Sequence, residues 1–274
     1  MNTEARARTP LAASTEHPSC DRCFHRRYCL PSAVENERWM QQVITGHSRV
    51  CKGGSLFRAG QPAAKIYVVH TGAFKSVICL PDGRQRIVSF HEAGDFMGLD
   101  AFTGQWGTDA IGLEASEACE IDIDTLDAVA RQIPLLQRYL RRVISDRLVQ
   151  AQQDQCALGT MHVTARMIRF LLNLSARYRA RGLSGDEFTL RMTRGDIGDY
   201  VGCRLETVSR VFSELQHAGL IDLERRDVRI VDHSRLARLR DSVPEWSEVL
   251  SAVPRLRCGT LLRAMRPAPA DMLA

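Results

Sequence analysis

Between about Val50 and Leu126 the apolar positions fall in short β-branched runs parted by glycine: Lys65 to His70, Ala73 to Leu80, Arg84 to Phe90 and Cys119 to Ile123. Runs of this length bounded by turn residues read as strands. Pro81-Asp82-Gly83 supplies turn chemistry between the second and third runs, which makes that pair a hairpin. Many short strands at this spacing predict a small antiparallel barrel or sandwich. Upstream, Val34 to Ile44 has helical spacing. After Pro134, which suits the first turn of a helix, the period lengthens for a helix reaching roughly to Leu158. Leu136, Leu140, Ile144, Leu148 and Ala151 form a narrow apolar stripe along it, bordered by Arg141, Arg142 and Arg147. Such a stripe predicts a dimer seam between two copies of the helix; packing on the chain's own barrel is the alternative.

From Val163 a further helix is expected, then a loop at Arg181-Gly182-Leu183-Ser184-Gly185, then a helix-turn-helix. Thr193 can cap a helix starting at Arg194, with Asp196 closing a capping-box-like pair. Ile197 and Val201 give that helix its apolar face, and Gly202-Cys203 make the turn. Leu205, Val208, Phe212 and Leu215 give the next helix its buried side, and Gly219 ends it. Arg204, Glu206, Thr207, Ser209 and Arg210 are left facing outward at its start, the part of a recognition helix that meets base edges. Arg210 can pair bidentately with guanine, Glu206 can accept from cytosine N4, and Ser209 can reach a base or a phosphate. Leu220 to Leu223 and Val228 to Val231, around Glu224-Arg225-Arg226-Asp227, read as a hairpin wing with its arginines near the DNA backbone.

Composition supports two cores: 274 residues, 45% apolar and 25% charged. The fold class is α+β, with an N-terminal antiparallel β-roll, a long dimerisation helix and a C-terminal winged helix-turn-helix. The expected division is 1–33 as a ligand-bearing segment, 34–130 as the roll, 131–158 as the long helix, 159–240 as the DNA-binding unit and 241–274 as an extension. No apolar run serves as a secretion signal or membrane span, so a cytoplasmic protein is expected. Residues 160–240 hold 15 arginines against 10 acidic residues, which accounts for the whole net charge of +5. That local surplus fits a phosphate-binding module and double-stranded DNA as partner.

Nine cysteines in an unsecreted chain argue against a disulfide framework. Cys20, Cys23 and Cys29 lie within ten residues, and Cys119 follows ninety positions later. Thiolates are the soft ligands of iron-sulfur clusters, and four of them also make a closed zinc site; spacing alone leaves both open. Cys51, Cys79, Cys156, Cys203 and Cys258 have no partner at ligand spacing. His25 reads as a loop histidine and His91 as structural.

The chain resembles the CRP/FNR family of bacterial regulators, in its oxygen-responsive FNR branch, from about Cys20 to Val231. The resemblance rests on Cys20-Asp-Arg-Cys23 with Cys29, Phe90-His-Glu-Ala-Gly-Asp95, Met192-Thr-Arg-Gly-Asp-Ile-Gly198, and Glu206, Ser209 and Arg210 in a Glu-x-x-Ser-Arg reader. It implies one 4Fe-4S cluster per chain on Cys20, Cys23, Cys29 and Cys119, a homodimer, oxygen or nitric oxide as signal, and dyad sites resembling TTGAT, four spacer pairs, then ATCAA. It also implies RNA polymerase as partner, with the Pro81-Asp82-Gly83-Arg84 turn as a candidate surface. Cyclic-nucleotide members keep an arginine for the phosphate, whereas Phe96 to Asp109 contains none, so that ligand is not expected. Phe24 and Tyr28 stand where the FNR pattern has smaller residues, and larger rings there would shield the cluster. Ala151 replaces an acidic residue, which would reduce repulsion across the seam. An iron-sulfur enzyme would need a phosphate loop, paired acids or an activated nucleophile, and the sequence offers none. A zinc-bound or metal-free regulator would keep the DNA function without the sensing.

Overall fold

The computed structural model describes Cys23, Cys29 and residues 39–241, with only the backbone at Met40 and Gln41. Cys20, Phe24, His25, Tyr28, Cys258 and the expected 241–274 extension beyond Asp241 lie outside the described residues. Two four-stranded antiparallel sheets form the roll. Its strands are β1 (Ile44–Val50), β2 (Ser55–Phe57), β3 (Lys65–Thr71), β4 (Ala73–Cys79), β5 (Gln85–Glu92), β6 (Phe96–Met97), β7 (Asp109–Gly112) and β8 (Ser116–Asp122). The sheet orders are β1-β8-β3-β6 and β2-β7-β4-β5. Ile66 to Val69 of β3 are buried in succession, because the strand is covered on both faces. One face looks into the roll, where Phe57 stacks on Trp106 at 4.8 Å and on Tyr67 at 5.5 Å, beside Phe74 and Met97. The other bears Ile66, Val68, Cys119 and Ile121 and packs on helices.

The expected helix at Val34 to Ile44 is helical over α1 (Met40–Val43), within the described residues, and Ile44 already opens β1. The expected strand end at Ile123 is instead the start of α2 (Ile123–Gln132). Asp122 caps it by accepting from the Thr125 backbone N–H at 2.8 Å, and Leu126, Val129 and Ala130 form its buried face. Pro134 opens the 27-residue α3 (Pro134–Thr160), and α4 (Val163–Ala180) follows after a short break.

The C-terminal unit contains β9 (Glu187–Thr189), α5 (Arg194–Val201), α6 (Leu205–His217), β10 (Ile221–Glu224), β11 (Asp227–Ile230) and α7 (His233–Asp241). Its small sheet has the order β10-β11-β9, and Arg225 turns the hairpin at φ 53°. Its core continues into the roll: Ala73, Val77, Ile87 and Phe90 share one apolar cluster with Phe170, Leu171, Val201 and Phe212. The outer face of the second sheet is therefore covered by the helix-turn-helix unit.

Candidate nucleic-acid interface and metal centre

The helix-turn-helix is built by local chemistry. Thr193 Oγ1 accepts from the Asp196 N–H at 3.1 Å, and Asp196 accepts from the Thr193 N–H at 2.9 Å, closing the capping box. Gly202 makes the turn at φ 74°, a left-handed conformation that penalises a side chain. Gly198 lets the Cys203 carbonyl come close, since a Cβ there would sit 2.7 Å from that oxygen. Val208, Val211, Phe212 and Leu215 bury the inner face of α6. Leu205 departs from the expected pattern: as the first residue of the helix it is 49% exposed, and the buried face starts only at Val208.

Arg204, Glu206 and Arg210 are exposed, while Thr207 and Ser209 are half-buried. Arg210 meets Glu214 at 3.7 Å in an exposed i,i+4 pair, a contact weak enough to leave the guanidinium available. Arg194 lies over the Phe212 ring at 5.2 Å and braces the two helices together.

Two carboxylates of α5 tie this unit to the β4–β5 hairpin. Asp196 pairs with Lys75 at 2.6 Å, and Asp199 accepts from the Ile87 backbone N–H at 2.7 Å. A denser joint centres on Asp95, just before β6. Its carboxylate pairs with Arg147 of α3 at 3.2 Å, with Arg177 of α4 and with Arg181 at 2.7 Å, and accepts from the Glu92 N–H at 2.8 Å. Burial pushes the Asp95 carboxyl up, but the three guanidiniums outweigh it and hold the group far below the usual carboxylate range. Nearby, burial and then Arg147 lower His91 to about 3, and its Nε2 shares a 2.8 Å hydrogen bond with Ser76. Sequence reasoning missed this joint. Its one signal was the Phe90-His-Glu-Ala-Gly-Asp95 stretch, and Arg147, read as a flank of the seam, turns out to serve it.

Cys119 is buried in β8, opposite His47 of β1 and Val68 of β3. Cys29 packs against the same apolar cluster, and Cys23 is half-buried. Tyr139 of α3 joins that cluster: burial, followed by the charge of Cys29, pushes its hydroxyl up to about 12. Two of the four expected thiolates are thus brought to one face of the roll beside the first turns of α3. Cys51, Cys79 and Cys156 are exposed, and Cys203 is half-buried in the helix-turn-helix turn.

The seam positions divide. Leu136 and Leu140 are buried in the chain's own core, as the alternative reading had it, and so are not available to a partner. Ile144, Leu148 and Ala151 are exposed, with Leu148 at 58%. The Pro81 to Arg84 turn is exposed and closed by Leu80 N–H donating to the Arg84 carbonyl at 2.7 Å.

A β-roll whose second sheet is covered by a helix-turn-helix with a wing has the architecture of a DNA-binding regulator. Residues 47–132 match the cyclic nucleotide-binding domain family, and residues 165–239 match the Crp-like helix-turn-helix domain family. The chain is 36% identical over 236 residues to the transcriptional regulatory protein btr of Bordetella pertussis, covering 85% of this chain and 96% of that one. It is also 36% identical over 224 residues to the anaerobic regulatory protein of Haemophilus influenzae, covering 80% and 87%. Among solved structures, FixK2 from Bradyrhizobium japonicum aligns with a TM-score of 0.65 at 29% identity, covering 70% of this chain and 96% of that one. The chain belongs to the CRP/FNR family and is an FNR/Anr-like DNA-binding transcriptional regulator. Among the described residues no helix is long and apolar enough to cross a membrane.

Proposed function

We propose that the chain is an oxygen-responsive regulator of anaerobic genes that holds one 4Fe-4S cluster on Cys20, Cys23, Cys29 and Cys119. The supporting observation is that Cys29 and Tyr139 of α3 pack against the apolar cluster that contains Cys119, ninety positions from Cys29 in sequence. The donor set suits the group, since thiolates in a largely dry surrounding are its usual ligands. Bound there, the cluster supplies an oxygen-labile joint between the N-terminal segment and the roll, with oxygen or nitric oxide as signal. Cys119 offers a ligand fixed in the middle strand of a sheet, and Tyr139 places the start of the long helix against Cys29. Ile144, Leu148 and Ala151 present the face on which a second copy pairs. Glu206, Ser209 and Arg210 then read each half of a TTGAT-type dyad, while Arg204 and Thr207 border them at the groove. The Pro81 to Arg84 turn offers a surface to RNA polymerase.

Protein purified without oxygen should be brown, with about four iron and four sulfide per chain. Cys20→Ser, Cys23→Ser, Cys29→Ser or Cys119→Ser should abolish the colour, while Cys51→Ser and Cys79→Ser should not. Colourless protein with one tightly held zinc would replace the sensing assignment with a structural metal, and iron retained in Cys119→Ser would remove the fourth ligand.

A further inference from the structure

A second donor cluster lies on the same face of the first sheet, two positions along β8 from Cys119. His47 of β1, His70 of β3 and Glu117 of β8 bring their ligand atoms within 4.8 Å of one another. His47 Nδ1 is 2.9 Å from Glu117 Oε1, and His70 Nδ1 is 3.8 Å from Oε2, with the two rings 5.1 Å apart. The backbone contributes to this arrangement. Val69 and Thr71 pair with the consecutive residues Ala118 and Glu117, so His70 is the extra residue of a β-bulge. By alternation His70 follows Ile66 and Val68 onto the face that bears Cys119 and Glu117, and the bulge keeps its ring beside the Glu117 carboxylate while the ladder shifts by one residue.

We propose that His47, His70 and Glu117 form a site for a divalent cation of the zinc class, separate from the cysteine site. Two imidazoles and one carboxylate are a borderline donor set that suits zinc, whereas magnesium and calcium favour oxygen alone and copper(I) favours sulfur. Three protein ligands leave a position open. His70 and Glu117 are 26% and 19% exposed, so water can fill it from one side while His47 anchors the floor at 4%. Among the described residues the nearest competing cation is Arg49, whose Nε stands 3.5 Å from Glu117 on a side chain that is 67% exposed and can swing away. A cation held there crosslinks all three adjacent strands, β1, β8 and β3, and braces the strand that carries Cys119. The site is thus a second metal input to the sensory domain, and its existence does not depend on what the cysteines bind.

Cobalt(II) separates the two sites, because thiolate ligation gives intense charge-transfer bands and nitrogen-oxygen ligation gives only d–d bands. The probe is Co2+ titrated into the full-length Cys20→Ser/Cys23→Ser/Cys29→Ser protein, followed by displacement with Zn2+. About one equivalent should bind with d–d bands and no thiolate band. His70→Ala, at a partly exposed bulge, and Glu117→Gln should each weaken binding at least about tenfold, since even a group behind a ligand is worth about that much. In the unsubstituted protein, Zn2+ should raise the thermal midpoint, and His70→Ala should lose the part of that rise that persists when the cysteines are replaced. Absence of d–d bands, bands that survive both substitutions, or a thiolate band from Cys119 would each overturn the assignment.

Discussion

Replacing Asp95 by asparagine removes one negative charge from among three guanidiniums and leaves them crowded beside Glu92, which stands 3.7 Å from Arg181. The carboxylate is 12% exposed, as is Arg181, while Arg147 and Arg177 are 32% and 29% exposed. Breaking a fully buried pair costs about 3–5 kcal/mol, because the remaining charge stays desolvated. Arg147 and Arg177 reach water and are partly screened, and asparagine can still accept from the Glu92 N–H, so about 3 kcal/mol is the expected loss. For a chain of this size that lowers the thermal midpoint by ~6–12 °C. The folded carboxyl lies below its unfolded value of about 3.9, so its contribution is complete above that value and lost only as pH falls through the folded one. The deficit measured by urea denaturation should therefore be flat between about pH 5 and 8. A cycle with Arg181→Gln should show coupling above ~1 kcal/mol, as neighbours in one network do. A deficit under ~1 kcal/mol, or strict additivity, would mean that the charges are solvated singly and that Asp95 does not join the roll to α3 and α4.

His91 has a folded value of about 3, so the folded state stays neutral while the unfolded state protonates near pH 6.5; stability should be full above that and fall toward pH 3. By pH 5 the loss is about 2 kcal/mol, and His91→Gln should reduce it; equal urea midpoint shifts from pH 7.5 to 5 in both proteins would refute this. Leu136→Ala should cost about 2–5 kcal/mol of folding stability, whereas Leu148→Glu should leave folding within ~0.5 kcal/mol and weaken dimerisation in analytical ultracentrifugation. The reverse outcome would place the seam at the start of α3. Arg210→Ala should not change stability but should cost about 1–3 kcal/mol of affinity for the dyad, with weaker discrimination at guanine; an equal loss on scrambled DNA would make it a phosphate contact.

Much of the fold was legible because its signals are local. The β4–β5 hairpin follows from Pro81-Asp82-Gly83, the start of α3 from Pro134, and α5 from the Thr193 capping box; each acts within a few residues. Helix α2 was missed because its cap, Asp122, is also the last residue of β8, so the strand signal masked the helix signal. The outward set on α6 was readable from its period, except at Leu205, where helical spacing does not tell a first-turn residue that its neighbours have not yet closed around it. The joint between the domains was not legible, since Lys75 and Asp196 are 121 positions apart and Asp95 and Arg177 82.

The sequence by itself determined the classes of element, the outward-facing residues at the start of α6 and the thiolate inventory, because periodicity, capping and residue chemistry need only neighbours along the chain. Tertiary structure decided which apolar side chains were already used. Leu136 and Leu140 lie on the same helical stripe as Ile144 and Leu148, yet only the first two have α2 and the roll beside them. It also decided that Cys29 packs on the cluster that holds Cys119, that Asp95 gathers three arginines, and that His70 and Glu117 come together across β3 and β8. Each of these depends on strands and helices far apart in sequence being packed at close range, where burial and charge pairing are set by geometry and not by spacing along the chain.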